Sequence, residues 1–428
     1  MSIRRKLQLL KLRVSLSGLC LAWALVPSIA SAQTTSALSL REAIEWAGRH
    51  ERVIAARQSA EAAKAETAIA DRAPAPLLTG STASIDLDRG VGAGSWLTGK
   101  PIDKGLSVDW IWERGSKRAL RTASAKHQAE AFEADYVDSI KQQQAIVIDA
   151  FYEVLSAKER ASVLTVLAQS AEQLAKLASQ RFQLGDLSAQ DLARLDIEAD
   201  RARGELAQSQ WLMERARQFF RLALGPQFAR SQWELADEWP LATPLEALDV
   251  ESIAMNTPQL KAARARIQSA QAQIELAKSL SIQDPSFGLS LNHFPGTSNA
   301  LLGLKVTVPL YASDYFKGET QRALALAQVT EAQYQELLRR TILELQNLYQ
   351  SRANAYMRLV QFERAILPKS LKVTLQAEQA FAQGGQTLTD LLEARRTLRT
   401  VQLEALQWRT DFAKADRTWW YKVNERLP

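Results

Sequence analysis

The sequence predicts a mainly α-helical protein with a small β part, in which very long helices continue into membrane-crossing strands. Three observations predict it. The chain sets out most of its plan twice, in the same order. Each copy contains a helical stretch far longer than a globular domain uses. Each copy also contains two runs of about ten residues that alternate apolar and polar side chains, the period of a strand with one wet and one greasy face.

Residues 1–32 have the make-up of an export signal. Arg4, Arg5, Lys6, Lys11 and Arg13 precede an apolar stretch from Val14 to Val26, and Ala30-Ser31-Ala32 after Pro27 is a small-residue cleavage site. The mature chain is expected to start at Gln33. Those cations account for most of the net charge of +6. The remainder is nearly neutral, so the basic balance is no argument for nucleic-acid binding. The single cysteine, Cys20, falls inside the signal. No thiol is then left for a disulfide or a cysteine metal site.

The first repeat is assigned to 33–225. A helix from about Ser39 to Asp71 stops at Pro74 and Pro76. A strand follows at about 77–88, then the loop DRGVGAGSWLTGKP, a strand at about 104–113 and a long helix to about Phe182. A connection, 226–249, rich in Trp, Pro and acids, leads to the second repeat, 250–428. There a helix from Val250 to Leu280 precedes a strand at about 285–294, the loop PGTSNA, a strand at about 301–311 and a long helix to about Phe381.

Past each long helix lies a short glycine-bearing segment, RFQLGDLSAQDL in one half and AFAQGGQTLTDL in the other. Both read as αα-hairpin tips, at about 182–190 and 381–389. A constant shift aligns Phe182 with Phe381, Gly185 with Gly384, Asp191 with Asp390, Glu205 with Glu404 and Gln208 with Gln407. Ser188 and Thr387 stand where an N-cap belongs. In the first long helix Leu164, Leu167, Ala171, Leu174 and Ala178 step by three and four, the seam of a coiled coil. A helix of that length reaches about 100 Å.

Sorting the strands by parity separates two faces. Leu77, Ala83, Ile85 and Leu87 oppose Gly80, Thr82, Ser84, Asp86 and Asp88. Leu106, Val108, Trp110 and Trp112 oppose Ser107, Asp109 and Glu113, with Ile111 the exception. Phe287, Leu289 and Leu291 oppose Gly288, Ser290 and Asn292; Leu302, Leu304, Val306, Val308 and Leu310 oppose Gly303, Lys305 and Thr307. Length and dyad pattern are those of transmembrane β-strands. Backbone groups in lipid must all be paired, which forbids an open sheet edge. Four strands cannot close around a water-filled lumen, so copies of the chain are expected to pool strands with cyclic symmetry. A soluble periplasmic coiled-coil scaffold with an attached sheet is the alternative that alternation alone leaves open.

This layout, with the two tips and the segments LALGP at Leu222 and TVPLY at Thr307, resembles the TolC family of outer-membrane efflux factors. WERGSKRALR and FYEVLSAKER at Phe151 look most like its CzcC-type, heavy-metal branch. The resemblance implies a homotrimer in which four strands per chain make a twelve-stranded barrel, continuous with an α-helical coiled-coil barrel. It implies the exit duct of a tripartite efflux or secretion system, working with a periplasmic adaptor and an inner-membrane pump of RND type. Metal cations are the cargo it suggests, with drugs, organic solutes or secreted protein as alternatives. The tips would contact the adaptor through Phe182, Gly185, Asp186, Leu187 and Ser188, and through Phe381, Gly384, Gly385, Gln386 and Thr387. Turn chemistry alone would also put glycine there. A constriction is implied near the second tip, where TLQAEQAFAQGG holds no aspartate and Gln376 and Glu378 are the polar gate candidates.

No catalytic set stands out. His50, His127 and His293 are scattered without ligand spacing, and neither a phosphate loop nor a nucleophile elbow is present. No enzyme activity, metal site or cofactor is expected, so transport would be powered by a partner. The barrel lumen is assigned Asp86, Asp88, Asp109 and Glu113 against Lys305, a mild bias toward cations. Trp96, Trp110 and Trp112 suit an interfacial aromatic girdle.

Overall fold

A computed structural model describes residues 37–423, apart from 86, 89–101, 227, 229–232, 237–238, 245–248 and 313. The expected signal with Cys20, and also Asp86 and Trp96, lie outside the described residues. In chain order the elements are α1 (Leu40–Ala47), α2 (Glu51–Ala70), β1 (Leu77–Ala83), β2 (Asp103–Ile111), α3 (Lys117–Gln183), α4 (Ala189–Leu224), α5 (Val250–Met255), α6 (Pro258–Ser279), β3 (Ser286–Phe294), β4 (Ser298–Thr307), α7 (Lys317–Gln361), a π-helical turn (Phe362–Ile366), α8 (Leu367–Ala382) and α9 (Leu388–Val423).

The expected opening helix of each half is broken in two. Ser39 caps α1 by accepting the Glu42 N–H at 3.2 Å, and α1 ends at Gly48. His50 then caps α2, its Nδ1 accepting the Arg52 N–H at 3.2 Å. In the second half Asp249 caps α5, and Thr257 with Pro258 opens α6. Proline at the first helical position gives up an N–H that has no intrahelical partner there.

The long helices also differ. α3 runs unbroken for 67 residues with no glycine or proline, about 100 Å of rise. Its counterpart is interrupted between Phe362 and Ile366, and the Leu367 N–H reaches five residues back to the Phe362 carbonyl. Pro368 is the cause: it has no N–H to donate, and its ring crowds the preceding turn.

α3 packs on α2 and α6 along its first part and on α4 and α9 further on, α6 packs on α7, and α9 packs on α7 and α8. α2 and α4 therefore flank one side of this array, α7 and α8 the other. A buried aromatic core forms where α1, α3, α4 and the connection meet. Phe151, Tyr152 and Phe220 are almost fully enclosed there, joined by Phe228 and Trp233.

The four strands form one antiparallel sheet in the order β1-β2-β3-β4. Directly paired residues share a face. Leu106, Val108 and Trp110 pair with Leu291, Leu289 and Phe287, and Leu289 and Leu291 with Leu304 and Leu302. That face is apolar and exposed, Leu304 to 83% and Leu302 to 68%. Ser107, Asp109, Gly288, Ser290, Asn292 and Lys305 lie on the other.

β1 departs from its expected parity and length. Leu77 pairs with Asp109 and Ala83 with Asp103, whereas Gly80 pairs with Leu106. Leu77 and Ala83 thus sit on the polar face and Gly80 on the apolar one. Leu77 and Leu78 are adjacent, so alternation there was ambiguous, and pairing with β2 decides. β1 stops at Ala83 because Ser84 takes a left-handed φ of 61°, so Asp88 lies in a turn past the strand.

The strand–helix junctions of the two repeats are wired together. The Trp112 N–H donates to the Pro285 carbonyl at 2.9 Å and the Arg114 N–H to Asp284 Oδ1 at 2.8 Å. Lys117 Nζ donates to the Ile282 carbonyl at 2.5 Å and to Asp284 Oδ2 at 2.6 Å. Gly115, at φ 69°, lies so close to Ile282 that a Cβ would collide with it. β2 therefore passes into α3 through a rigid clasp.

Candidate conduit wall and docking tips

The two tips are the same motif. The Gly185 N–H bonds the Phe182 carbonyl at 3.0 Å and the Asp186 N–H the Arg181 carbonyl at 2.9 Å. The Gly384 N–H bonds the Phe381 carbonyl at 3.1 Å and the Gly385 N–H the Ala380 carbonyl at 2.8 Å. These are Schellman closures, with glycine in the left-handed position at φ 83° and 76°. Each return helix is capped alike. The Asp191 N–H donates to Ser188 Oγ at 3.1 Å, and the Asp390 N–H to Thr387 Oγ1 at 3.3 Å.

Folding sets the tips side by side. Ala178 and Leu195 of the first pack with Leu388 and Leu392 of the second, and Leu187 and Phe381 cover this small core. Phe182, Asp186, Ser188, Gln386 and Thr387 stay exposed around it. The two tips thus share one small core and present one continuous surface.

The gate candidates behave differently from one another. Gln376 is exposed on α8. Glu378 is held by Arg395, whose Nε and Nη2 donate to it at 3.0 and 2.6 Å while Nη1 reaches Ser170 Oγ at 3.1 Å. Two neighbouring arginines continue the bracing. Arg396 donates to Glu198 at 2.7 Å and Arg399 to Glu205 at 3.2 Å. The bond to Glu198 and its charge hold the Arg396 pKa above its usual value, and burial works against them. Spacing within a single element does not single out these arginines, although the run EARRTLR after the second tip carries them. Nor does it mark Leu371, Val373 and Leu375, which α8 leaves about half exposed. Glu205 and Gln208 line one groove with Glu404 and Gln407, their partners in the repeat, in a cavity of about 480 Å³ between α4 and α9.

The lumen candidates separate likewise. Asp109 accepts from Ser107 Oγ at 3.2 Å and from Lys305 Nζ at 3.4 Å. Glu113 lies beyond the end of β2 and takes a two-point contact from Arg121, at 2.7 and 3.3 Å. Both acids carry a partner cation, so the polar face is less acidic than a count of carboxylates suggests. Trp110 stacks on Phe287 with centroids 6.0 Å apart, and Trp112 lies 6.4 Å from the same ring. The histidines serve local ends: His50 caps α2, His127 meets Glu130 at 2.9 Å, and His293 meets the Asn299 carbonyl at 3.0 Å. Among the described residues no helix is long and apolar enough to cross a membrane. The sheet carries an exposed apolar face that includes Leu289, Leu291, Leu302 and Leu304.

Residues 250–418 match the profile of the family described as outer membrane efflux protein. The chain is 28% identical over 293 residues to the cobalt-zinc-cadmium resistance protein CzcC of Cupriavidus metallidurans, covering 67% of this chain and 68% of that one. The fold is similar to that of CusC, with a TM-score of 0.77 at 14% identity over 91% of this chain and 93% of the other. It is also similar to the outer membrane protein VceC of Vibrio cholerae, with a TM-score of 0.74 at 18% identity over 90% and 95% of the two chains. Tips, sheet and sequence relatives agree: over residues 250–418 the chain is similar to the outer membrane efflux protein family, and its fold is that of CusC and VceC.

Proposed function

We propose that this protein is the outer-membrane exit duct of a tripartite efflux system, a passive conduit that exports metal cations. The carrying observation is the sheet. Its apolar face is exposed and its outermost strands β1 and β4 each have one unpaired edge, which lipid does not tolerate. Three copies, pairing β4 of one with β1 of the next, would close twelve strands. The same rotation brings α7 and α8 of one copy against α2 and α4 of its neighbour. The polar face would then line the lumen. The joined tips would meet the periplasmic adaptor, through which an inner-membrane pump of RND type delivers cargo. Resemblance to a cobalt-zinc-cadmium resistance protein supports metal as the cargo.

The test is a deletion strain challenged with cobalt, zinc, cadmium and a panel of drugs, together with the purified protein in planar bilayers. Metal sensitivity restored by the gene, and ion-conducting trimers that need detergent, are expected. Drug sensitivity alone would transfer the cargo to organic solutes. A monomer soluble without detergent would overturn the duct.

A further inference from the structure

One row crosses the whole sheet on its polar face. Leu77 pairs with Asp109, Asp109 with Gly288, and Gly288 with Lys305. Each strand contributes one residue, and the row holds one acid and one base. Between them stands a glycine, and the structure shows what it does. A Cβ at Gly288 would fall on the Asp109 carboxylate and press on Lys305 Cβ. Without it, the Asp109 side chain lies down across β3 toward β4, 24% exposed, and meets the Lys305 ammonium at 3.4 Å. Lys305 itself projects into open space, 67% exposed.

Elsewhere on this face, among the described residues of the strands, the only other charge is Asp103, which takes the Ser84 hydroxyl at 2.5 Å. It is six residues along β2 from Asp109, about 20 Å away and beyond the reach of a screened charge, about 10 Å at 0.1 M salt. The Asp109 level is therefore electrically self-contained. Were its base removed, each chain would leave one bare carboxylate there, and three chains would make an acidic ring. Were its acid removed, the ring would be basic.

We propose that the Asp109–Lys305 pair, laid flat over Gly288, forms a neutral ring that keeps the lumen open to cargo of either charge. The proposal rests on the reading of the polar face as a lumen. Rings of fixed charge set the sign of the ions a pore admits, and a paired ring sets none. Asp109, one of the four lumen carboxylates expected from the sequence, then contributes nothing to a cation filter.

The experiment is the reversal potential of single channels under a KCl gradient, at about 0.1 M salt, where fixed charge is felt over about 10 Å. Lys305→Gln is expected to raise the potassium-to-chloride permeability ratio about twofold or more, and Asp109→Asn to lower it by a similar factor. The exchanged pair, Asp109→Lys with Lys305→Asp, is expected to return the ratio to that of the parent. Conducting single variants with the parent's ratio would overturn the proposal while leaving the duct intact. A parent protein that forms no channel would overturn the duct reading itself, and the proposal with it. Where a single variant assembles poorly, the conducting fraction of the exchanged pair still decides, because a ratio far from the parent's contradicts a self-contained ring.

Discussion

Replacing Asp284 with alanine should cost more stability than replacing its partner, and the structure says why. Lys117 is the buried member of the pair, its side chain only 7% exposed, against 25% for Asp284. Remove the carboxylate and the ammonium is left with the Ile282 carbonyl at 2.5 Å and little access to water. Breaking a buried pair from one side typically costs about 3–5 kcal/mol. The partial exposure of Asp284 argues for the lower end, and the Arg114 N–H it also holds adds back about 1 kcal/mol. Asp284→Ala is therefore expected to cost about 3–4 kcal/mol. Lys117→Met leaves a carboxylate that can turn to water and still hold the Arg114 N–H, so about 1–2 kcal/mol is expected. The double variant Lys117→Met with Asp284→Ala should fall well short of the sum. The assay is denaturant unfolding in detergent, with amide exchange across the β2–α3 junction as the local readout. An Asp284→Ala cost below that of Lys117→Met, or additive single costs, would refute the argument from burial.

Three further outcomes are expected. Gly185→Ala and Gly384→Ala place a Cβ in left-handed backbone with open space around it, so each should loosen its tip by about 1–2 kcal/mol, visible as faster amide exchange at the tips and unchanged exchange at the sheet. Leu392→Ala, in the core shared by both tips, should cost about 2–3 kcal/mol and raise exchange at the first tip as well as the second; a response confined to the second would show that the tips are independent. Burial holds the Asp138 carboxyl above its usual range, although Gln259 and Gln142 donate to it. A raised carboxyl favours the folded state below the unfolded pKa, and that contribution is lost as pH rises through the folded value. Asp138→Asn should therefore raise the melting temperature at neutral pH and change it little at acid pH; no gain at neutral pH would show that water reaches the carboxylate.

Much of this fold is legible in short windows. The tips with their glycines and caps, and the alternation in β2, β3 and β4, all rest on residues a few positions apart. Local geometry reads such spacing directly: a left-handed turn wants glycine, an N-cap wants a hydroxyl or carboxylate, a strand alternates. The helix interruptions were legible in part. Gly48, Pro258 and Pro368 mark them, and the expected continuous helices ran through all three.

What only the tertiary structure decided depends on residues far apart in the chain. Cross-strand pairing placed Leu77 beside Asp109 and so reversed the faces of β1. Asp109 found Lys305 and Lys117 found Asp284, each across more than 160 positions. The arginines after the second tip reached back to glutamates on α4, and the two tips merged into one core. Sequence periodicity says which way a side chain points along its own element. Which opposing charge or apolar group it meets is set by the packing of separate elements, and on that meeting depend the net charge of the sheet's polar face and the surface the tips present.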